Sequence, residues 1–220
     1  MLRTRIKICG ITRLEDALCA INAGVDALGF VFARKSPRYI TPDAANFIIS
    51  QLPPLVTMVG LFMDNPTDDV AAVVSQVNLD LLQFHGAESV AFCEQWQCRY
   101  IKALPMGQDG DTGAVIDPLS YAARYPSSIG FLLDSNALGE AGGSGKTFDW
   151  KSVPTQLSKP IVVAGGLNPH NIFAAVTRIK PYAVDVSSGV ESEKGIKDHQ
   201  KMIAFIKAVK KGNEANAINS

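Results

Sequence analysis

Residues that bind structural metals or form disulfides are scarce in this chain, which has four cysteines and three histidines among 220 residues. The cysteines are Cys9, Cys19, Cys93 and Cys98. They have neither the paired spacing of a zinc site nor a matching histidine pair. We therefore expect free thiols, no structural metal and no metal cofactor.

An excess of charge is also absent, because 21 lysines and arginines balance 21 aspartates and glutamates and the pI is about 6.8. A balanced chain lacks the positive field that attracts nucleic acid or an acidic membrane surface. No apolar run approaches the roughly 20 residues of a membrane-spanning helix, and residues 1–5 lead directly into a predicted strand without a signal-peptide core. The sequence predicts a cytoplasmic protein with no nucleic-acid or membrane partner.

Short apolar runs alternate with helical patterns along most of the chain. The run Ala27–Phe32 is continuous rather than alternating, which is typical of a strand covered on both faces. Leu14–Ala23 has the spacing of an amphipathic helix, and Gly24 ends it. The predicted strands lie at residues 5–9, 27–32, 56–62, 79–84, 100–104, 130–133, 161–164 and 183–186. The predicted helices lie at residues 14–23, 41–50, 68–76, 89–95, 116–124, 149–153, 168–178 and 198–211.

This order of elements predicts an α/β fold, a single-domain (β/α)8 TIM barrel over residues 1–211, followed by a disordered polar tail at 212–220. A doubly wound open sheet is the alternative. The strand count favours the barrel, and so does the polar or glycine residue that follows nearly every strand. In a barrel those carboxyl ends share one face, where the active site lies.

The first strand ends in Cys9 and Gly10. We expect Thr12 to cap the following helix, with Glu15 as the second half of a capping box. Cys9 is either a nucleophile or proton carrier at a strand end, or a small buried apolar residue.

Lys7 shares the strand parity of Cys9, so both side chains point into the barrel. The Lys7 ammonium would favour the thiolate form of Cys9. Because an unpaired buried charge is costly, Lys7 needs a partner. Asp185 on the eighth strand, which closes against the first, is predicted to form an ion pair with Lys7.

Asp134 ends the sixth predicted strand after a run of apolar or small residues. Desolvation at the mouth of an apolar barrel raises a carboxyl pKa and can create a general acid. An aspartate that caps a helix or braces a loop is the equally open alternative.

Two loops rich in glycine and serine follow the seventh and eighth strands. They are Gly165-Gly166 and Ser187-Ser188-Gly189. Barrels commonly build a phosphate site there, since glycine lets backbone N–H groups approach an anion and serine adds hydroxyl donors. The alternative is two tight turns without a ligand.

Five further polar residues, which are Arg38, three histidines and Asp64, lie in or beside predicted loops. Arg38 could bind a carboxylate with its guanidinium fork, or lie solvated at the surface. His85, at a strand end, could contact substrate or be a satisfied rim histidine. His170 and His199 are expected to be solvated, and Asp64 to serve in a turn.

The glycine-rich segment 136–147 is predicted to be a mobile loop or lid. Its part Gly142–Thr147 resembles the end of a P-loop. A full P-loop requires a glycine five positions before the Gly-Lys pair, where this chain has Glu140. No long helix follows, so we discount nucleotide binding.

Several motifs, taken together and in order, resemble those of the phosphoribosylanthranilate isomerase family of tryptophan biosynthesis. The resemblance covers the chain from about Arg5 to Lys211. The motifs are Lys7-Ile8-Cys9-Gly10-Ile11-Thr12, Gly29-Phe30-Val31-Phe32 with Ser36-Pro37-Arg38, Gln83-Phe84-His85-Gly86, Leu132-Leu133-Asp134-Ser135, residues 142–150, Ala164-Gly165-Gly166-Leu167-Asn168-Pro169 and residues 184–191.

The resemblance implies an Amadori rearrangement of a phosphorylated small-molecule substrate, N-(5-phosphoribosyl)anthranilate, without metal or cofactor. It makes Cys9 the general base and Asp134 the general acid, and it assigns the anthranilate carboxylate to Arg38. The implied substrate-binding set is Arg38, His85, Gly165, Gly166, Asp185, Ser187, Ser188 and Gly189. The protein is expected to be a monomer or a homodimer.

Other functions compete with this interpretation. Ribulose-phosphate epimerase requires metal ligands at several strand ends, and indole-glycerol-phosphate synthase requires a catalytic lysine beside a glutamate pair. The chain has no clear set of either. Two functions outside these enzyme families also compete, a nucleotide-dependent phosphotransferase and a noncatalytic phosphosugar-binding barrel.

Overall fold

The structure, a computed structural model, describes residues 3–106, 116–134, 150–154 and 156–218. Eight parallel strands follow one another in chain order around a closed barrel. The strands are β1 Arg5–Cys9, β2 Ala27–Val31, β3 Thr57–Phe62, β4 Leu81–Phe84, β5 Tyr100–Pro105, β6 Phe131–Asp134, β7 Ile161–Val163 and β8 Ala183–Val186.

The barrel closes because β8 pairs with β1, with Lys7 beside Asp185 in the register. The predicted TIM barrel is therefore confirmed, and the alternative of an open, doubly wound sheet is wrong.

Helices cover the outside of the barrel. They are α1 Leu14–Ala23, α2 Pro42–Ile49, α3 Thr67–Gln76, α4 Val90–Glu94, α5 Pro118–Ala123, α6 Ile172–Ile179 and α7 His199–Ile218. A 3₁₀ turn at Trp150–Ser152 stands between β6 and β7, and a second one at Ser188–Val190 follows β8. In the described ranges, no helix has the length and apolar character needed to cross a membrane.

Alternate strand residues pack into two separate apolar layers. The larger layer lies between the strands and the helices and includes Ile8, Leu28 and Phe84. The smaller one fills the barrel interior with Leu132, Ala103 and neighbouring apolar side chains. The polar residues at the carboxyl ends of the strands stand above this interior layer.

The observed helix starts agree only in part with those predicted from the sequence. Thr41 caps α2, since its side chain accepts a hydrogen bond from the Ala44 N–H, and Pro42 takes the first helical position as predicted. The capping box at α1 is wrong, because the N-cap is Arg13 and no side chain caps the helix. The Thr12 hydroxyl instead donates to the carbonyl of Gly195.

The Gly195 carbonyl belongs to a hairpin that was not predicted from the sequence. Strands β9 Glu191–Glu193 and β10 Ile196–Lys197 pair antiparallel directly after the second 3₁₀ turn. Two strands of two or three residues have too short a pattern to detect. The hairpin nevertheless supplies Glu191 and Lys197 to the rim of the barrel.

The prediction of a disordered tail from residue 212 is wrong, since α7 continues to Ile218. Gly212 is buried where α7 packs on α6, and a Cβ there would lie 2.7 Å from Cγ1 of Val176. Asn213 accepts a hydrogen bond from the Thr4 N–H at 2.9 Å, and Asn216 donates to the Val176 carbonyl at 3.1 Å. Two amide side chains and a glycine pack this end of α7 against its neighbours. Because these residues are not apolar, the sequence pattern did not predict the packing.

Candidate active site

A cavity of about 580 Å³ opens at the carboxyl ends of the barrel strands. All the predicted site residues except Gly189 line it. These are Cys9, Arg38, His85, Asp134, Gly165, Gly166, Asp185, Ser187 and Ser188. The barrel therefore brings together side chains that are up to 179 residues apart in sequence, the span from 9 to 188.

Cys9 and Lys7 occupy the inward face of β1. The Lys7 Nζ donates to Oδ1 of Asp185 at 3.1 Å, so the predicted ion pair is confirmed. Burial opposes the charge of Lys7, but Asp185 and Cys9 outweigh it and raise the lysine pKa. Gly29 on β2 leaves the room these groups need, because a Cβ there would lie 2.8 Å from the Cys9 sulfur.

The Cys9 thiol is only 4% exposed, and burial raises its pKa. The Lys7 ammonium lowers it, as expected from strand parity, but the effect of burial is larger. Lys7 therefore favours the thiolate form, as predicted, and burial opposes it.

Asp134 ends β6, and its carboxylate contacts a histidine. Nε2 of His85 lies 3.1 Å from Oδ2 of Asp134 in the cavity wall, where Asp134 is buried and His85 is partly buried. On the other side of the ring, Nε2 of Gln83 lies 3.1 Å from Nδ1 of His85. Sequence reasoning assigned no role to Gln83, although its position two residues before His85 places it on the same face of β4.

Arg38 is buried at the cavity wall rather than solvated. It donates through Nε and Nη2 to the two carboxylate oxygens of Glu191, at 2.7 and 2.9 Å. Lys197 donates to the same carboxylate at 2.8 Å and also to the hydroxyl and carbonyl of Ser187. Burial opposes ionisation of Glu191, but Arg38 and Lys197 outweigh it and lower its pKa.

Burial has the opposite outcome at Lys197, where it lowers the pKa despite the attraction of Glu191. Glu191 and Lys197 were missed as site residues. Glu191 closes the last of the family-like motifs, and that position was the available signal for it.

The loops after β7 and β8 lie side by side at the rim. Gly165 and Gly166 have φ angles of +77° and +61°, a left-handed conformation that favours glycine. A Cβ on Gly189 would overlap the Leu167 carbonyl, so this glycine lets the two loops touch. Gly189 therefore packs behind the cavity wall instead of lining it.

The remaining polar candidates have local roles. His170 is exposed, as expected, whereas Nε2 of His199 lies 2.9 Å from Oδ1 of the buried Asp16. Asp64 adopts a positive φ in a turn and accepts a hydrogen bond from the Ala87 N–H. The predicted lid at 136–147 and its P-loop-like part fall outside the described residues.

The four cysteines are free thiols, as predicted. Over the part of the chain that the structure describes, no three His, Cys, Asp or Glu side chains are grouped as a metal site would require.

The fold and the cavity define a class, that of TIM-barrel enzymes with the active site on the carboxyl face of the strands. Within this class the chain matches the family model described as "N-(5'phosphoribosyl)anthranilate (PRA) isomerase" over residues 6–208. The chain therefore belongs to the phosphoribosylanthranilate isomerase family of aldose–ketose isomerases in tryptophan biosynthesis.

Curated relatives agree over nearly the whole chain. An N-(5'-phosphoribosyl)anthranilate isomerase of Pseudomonas fluorescens strain Pf0-1 is 52% identical over 210 residues, which cover 96% of this chain and 100% of the relative. The enzyme of the same name from Pseudomonas aeruginosa strain PAO1 is 51% identical, with 96% and 97% covered.

Solved structures agree as well. Phosphoribosylanthranilate isomerase from Thermotoga maritima superposes with a TM-score of 0.83 at 42% identity and covers 94% of this chain and 99% of its own. A phosphoribosylanthranilate isomerase in complex with reduced 1-(o-carboxyphenylamino)-1-deoxyribulose 5-phosphate gives 0.80 at 39% identity with the same coverage. The family shown is neither the epimerase nor the synthase that competed with it on sequence grounds.

Proposed function

We propose that this chain converts N-(5-phosphoribosyl)anthranilate to 1-(2-carboxyphenylamino)-1-deoxyribulose 5-phosphate, with Cys9 as general base and Asp134 as general acid. The observation that carries the proposal is the order of strands around the barrel. Asp134 ends β6, the two glycine-serine loops follow β7 and β8, and Cys9 ends β1. The phosphate loops thus stand between the acid and the base along one rim.

In the first step Asp134 donates a proton to the furanose ring oxygen. The bond between that oxygen and C1 breaks, its electron pair stays on the oxygen as a hydroxyl, and the nitrogen lone pair forms an iminium with C1. A positioned acid of this kind contributes about 10²- to 10⁴-fold to a rate.

In the second step the Cys9 thiolate removes the proton from C2. The C–H electron pair forms a C1–C2 double bond, and the iminium π electrons return to nitrogen, which gives an enolamine. Tautomerisation moves the C2 hydroxyl proton to C1 and yields the ketone, so substrate and product are isomers. Lys7, 3.1 Å from Asp185, supplies the positive charge that stabilises the thiolate when it forms.

The substrate has two anionic groups, a carboxylate and a phosphate, and the cavity offers a candidate partner for each. Arg38 would bind the anthranilate carboxylate from a guanidinium that Glu191 holds in the cavity wall. Backbone N–H groups of Gly165 and Gly166 and the hydroxyls of Ser187 and Ser188 would bind the phosphate. The relative solved with the reduced product analogue carries a ligand with the same two groups.

The remaining predicted binding residues would act indirectly. Asp185 holds Lys7, and Gly189 lets the two phosphate loops meet. We further expect a monomer or homodimer in the cytoplasm without nucleic-acid or membrane partners. One related structure describes monomers made from the dimeric T. maritima enzyme.

A fluorescence assay with freshly generated phosphoribosylanthranilate tests the activity. We expect time-dependent loss of substrate fluorescence, proportional to protein concentration, without added metal or cofactor. Substrate binding with stable fluorescence would contradict the proposal and favour a noncatalytic phosphosugar-binding barrel.

A further inference from the structure

Gln83 is a buried amide whose contact in the protein is to the histidine beside Asp134. Its side chain has no exposed area, and it lies on β4 between the strands that carry Leu61 and Ile101. Its Nε2 lies 3.1 Å from Nδ1 of His85, whose Nε2 lies 3.1 Å from Oδ2 of Asp134. The three side chains therefore form one row that ends at the proposed acid.

Two proton arrangements satisfy this row. In the first, the Gln83 amide donates to Nδ1, and the proton of His85 is on Nε2, which faces Asp134. In the second, the amide is flipped, His85 carries its proton on Nδ1 and donates it to Gln83, and a protonated Asp134 donates to Nε2. Which ring nitrogen is protonated is set by the hydrogen bond at the other.

The burial of Gln83 distinguishes the two. Among the described residues, its Oε1 is buried without a hydrogen-bond partner. The first arrangement leaves this oxygen and one of the two amide N–H groups without a partner among the described residues, whereas flipping the amide leaves both N–H groups without one. Buried unpaired N–H groups are rarer in proteins than under-satisfied carbonyl oxygens, so the first arrangement is favoured.

The arrangement decides where Asp134 can hold its acidic proton. With the Nε2–H of His85 facing Oδ2, Asp134 does not give its own proton to the ring, and the Asp134 side chain lines the cavity. In the flipped arrangement Asp134 would give its hydrogen bond to His85 rather than to the substrate ring oxygen.

We propose that Gln83 is a positioning residue that fixes His85 as the Nε2–H tautomer and so keeps Asp134 from giving its acidic proton to the imidazole ring. This inference deepens the proposed function and, for its catalytic consequence, rests on it. The tautomer itself can be observed without any activity.

The direct test is a long-range ¹H–¹⁵N spectrum of the ¹⁵N-histidine-labelled full chain, which distinguishes the two neutral tautomers. The chain has three histidines, so His170→Gln and His199→Gln spectra assign the His85 signals by elimination. We expect His85 in the wild-type protein to carry its proton on Nε2. A proton on Nδ1 would overturn the proposal, and this part needs no variant at position 83 to fold.

Two variants test the role of the amide. Gln83→Met removes the donor at similar length, and Gln83→Glu replaces it with an acceptor, which should move the proton to Nδ1. Either variant should lower kcat with KM nearly unchanged; partners behind metal-bound histidines, which orient the ring in the same way, are worth about 10- to 100-fold. Gln76→Met makes the same change on the exposed end of α3 and should alter neither the tautomer nor kcat.

The experiments distinguish a failure of the role proposed for Gln83 from a failure of the role proposed for Asp134. If Gln83→Met and Gln83→Glu keep the wild-type His85 signals and kcat, Gln83 does not set the tautomer and the proposal fails. If the wild-type tautomer and its change in Gln83→Glu are as expected while Asp134→Asn keeps full activity, the tautomer assignment stands and the acid assignment fails.

Discussion

Burial and charge act on the Cys9 thiol in opposite directions. Burial raises its pKa, and the Lys7 ammonium on the same face of β1 lowers it by a smaller amount. The charge was visible in the sequence, since parity alone places Lys7 beside Cys9. The sequence did not show how completely the barrel removes both groups from water, and that is what decides the direction of the pKa.

Lys7→Met should slow alkylation of Cys9 by iodoacetamide. Without the ammonium the pKa of the thiol rises further, because burial and the carboxylate of Asp185 then act unopposed by Lys7. At a fixed pH below the pKa, the thiolate fraction falls and the rate drops several-fold. Peptide-resolved mass spectrometry separates Cys9 from Cys93, whose pKa burial raises to about 12.

Lys207→Met, on the exposed face of α7, is the matched control and should leave Cys9 alkylation unchanged. If Lys7→Met fails to fold around the unpaired Asp185, the double variant with Asp185→Leu removes both charges. A Cys9 rate equal to wild type in folded Lys7→Met would show that Lys7 does not stabilise the thiolate.

At the scale of single elements, the β9–β10 hairpin holds the arginine at the cavity wall. Glu191 on β9 accepts from Arg38 and from Lys197 on β10, and all three are buried. Arg38 was found from the sequence because guanidinium suits a carboxylate ligand. Its partner was not, since the contact spans 153 positions and joins a hairpin too short to predict.

Glu191→Gln should weaken both folding and substrate binding. Removing one charge from a buried cluster leaves Arg38 and Lys197 uncompensated, which costs about 3 kcal/mol of unfolding free energy. KM should rise more than kcat falls, because the guanidinium is no longer held. Urea unfolding and steady-state kinetics measure the two effects, and Glu193→Gln, exposed on the same strand, is the control.

The stability difference should depend on pH in one direction. The pKa of Glu191 is lowered in the folded protein from its ordinary 4.5, so its contribution is present above that value and is lost as pH falls through the lowered pKa. The difference between wild type and Glu191→Gln should therefore shrink in acid. A difference that is constant down to the acid transition would contradict the charge account.

The end of α7 supplies a second prediction at this scale. Asn216→Ala removes one of the two donors to the Val176 carbonyl of α6, which keeps the Lys180 N–H, and should cost about 0.5 to 1.5 kcal/mol in urea unfolding. Glu214→Ala, exposed on the same helix, should cost little. Equal unfolding free energies for the two variants would show that the helix end contributes no stability through this contact.

The ends of the strands and most of the helices could be predicted from apolar periodicity in the sequence, because buried parallel strands and amphipathic helices have long, regular patterns. The cap of α1 and the start of α6 could not be predicted from this periodicity. The His170 N–H donates to Asn168 in a turn, and α6 begins only at Ile172, so the Asn168-Pro169 signal marked a turn before the helix. Short polar turns and caps depend on single hydrogen bonds that the sequence pattern does not resolve.

For the whole molecule, barrel closure is what makes a site from distant segments. Cys9 on β1 and Asp134 on β6 reach one cavity only because β7 and β8 join the two ends of the sheet. Ligand binding should therefore stabilise the whole fold. At a ligand concentration 100 times the Kd, the reduced product analogue should add about 2.7 kcal/mol to the unfolding free energy.

A thermal unfolding midpoint that rises with analogue concentration would show this coupling. Cys9→Ala and Asp134→Asn should keep the rise, since neither removes the proposed carboxylate or phosphate contacts. Anthranilate or inorganic phosphate alone should raise the midpoint less at equal concentration. A midpoint insensitive to the analogue would contradict the placement of the binding groups around this cavity.

The most direct test of the whole account is turnover of phosphoribosylanthranilate by three single variants compared with wild type. Cys9→Ala and Asp134→Asn should each lose about 10²- to 10⁴-fold in kcat or more while remaining folded. Cys19→Ala, a partly buried thiol on α1, should turn over normally. Near-normal kcat in either Cys9→Ala or Asp134→Asn would contradict the assignment of base and acid to the two sides of this barrel.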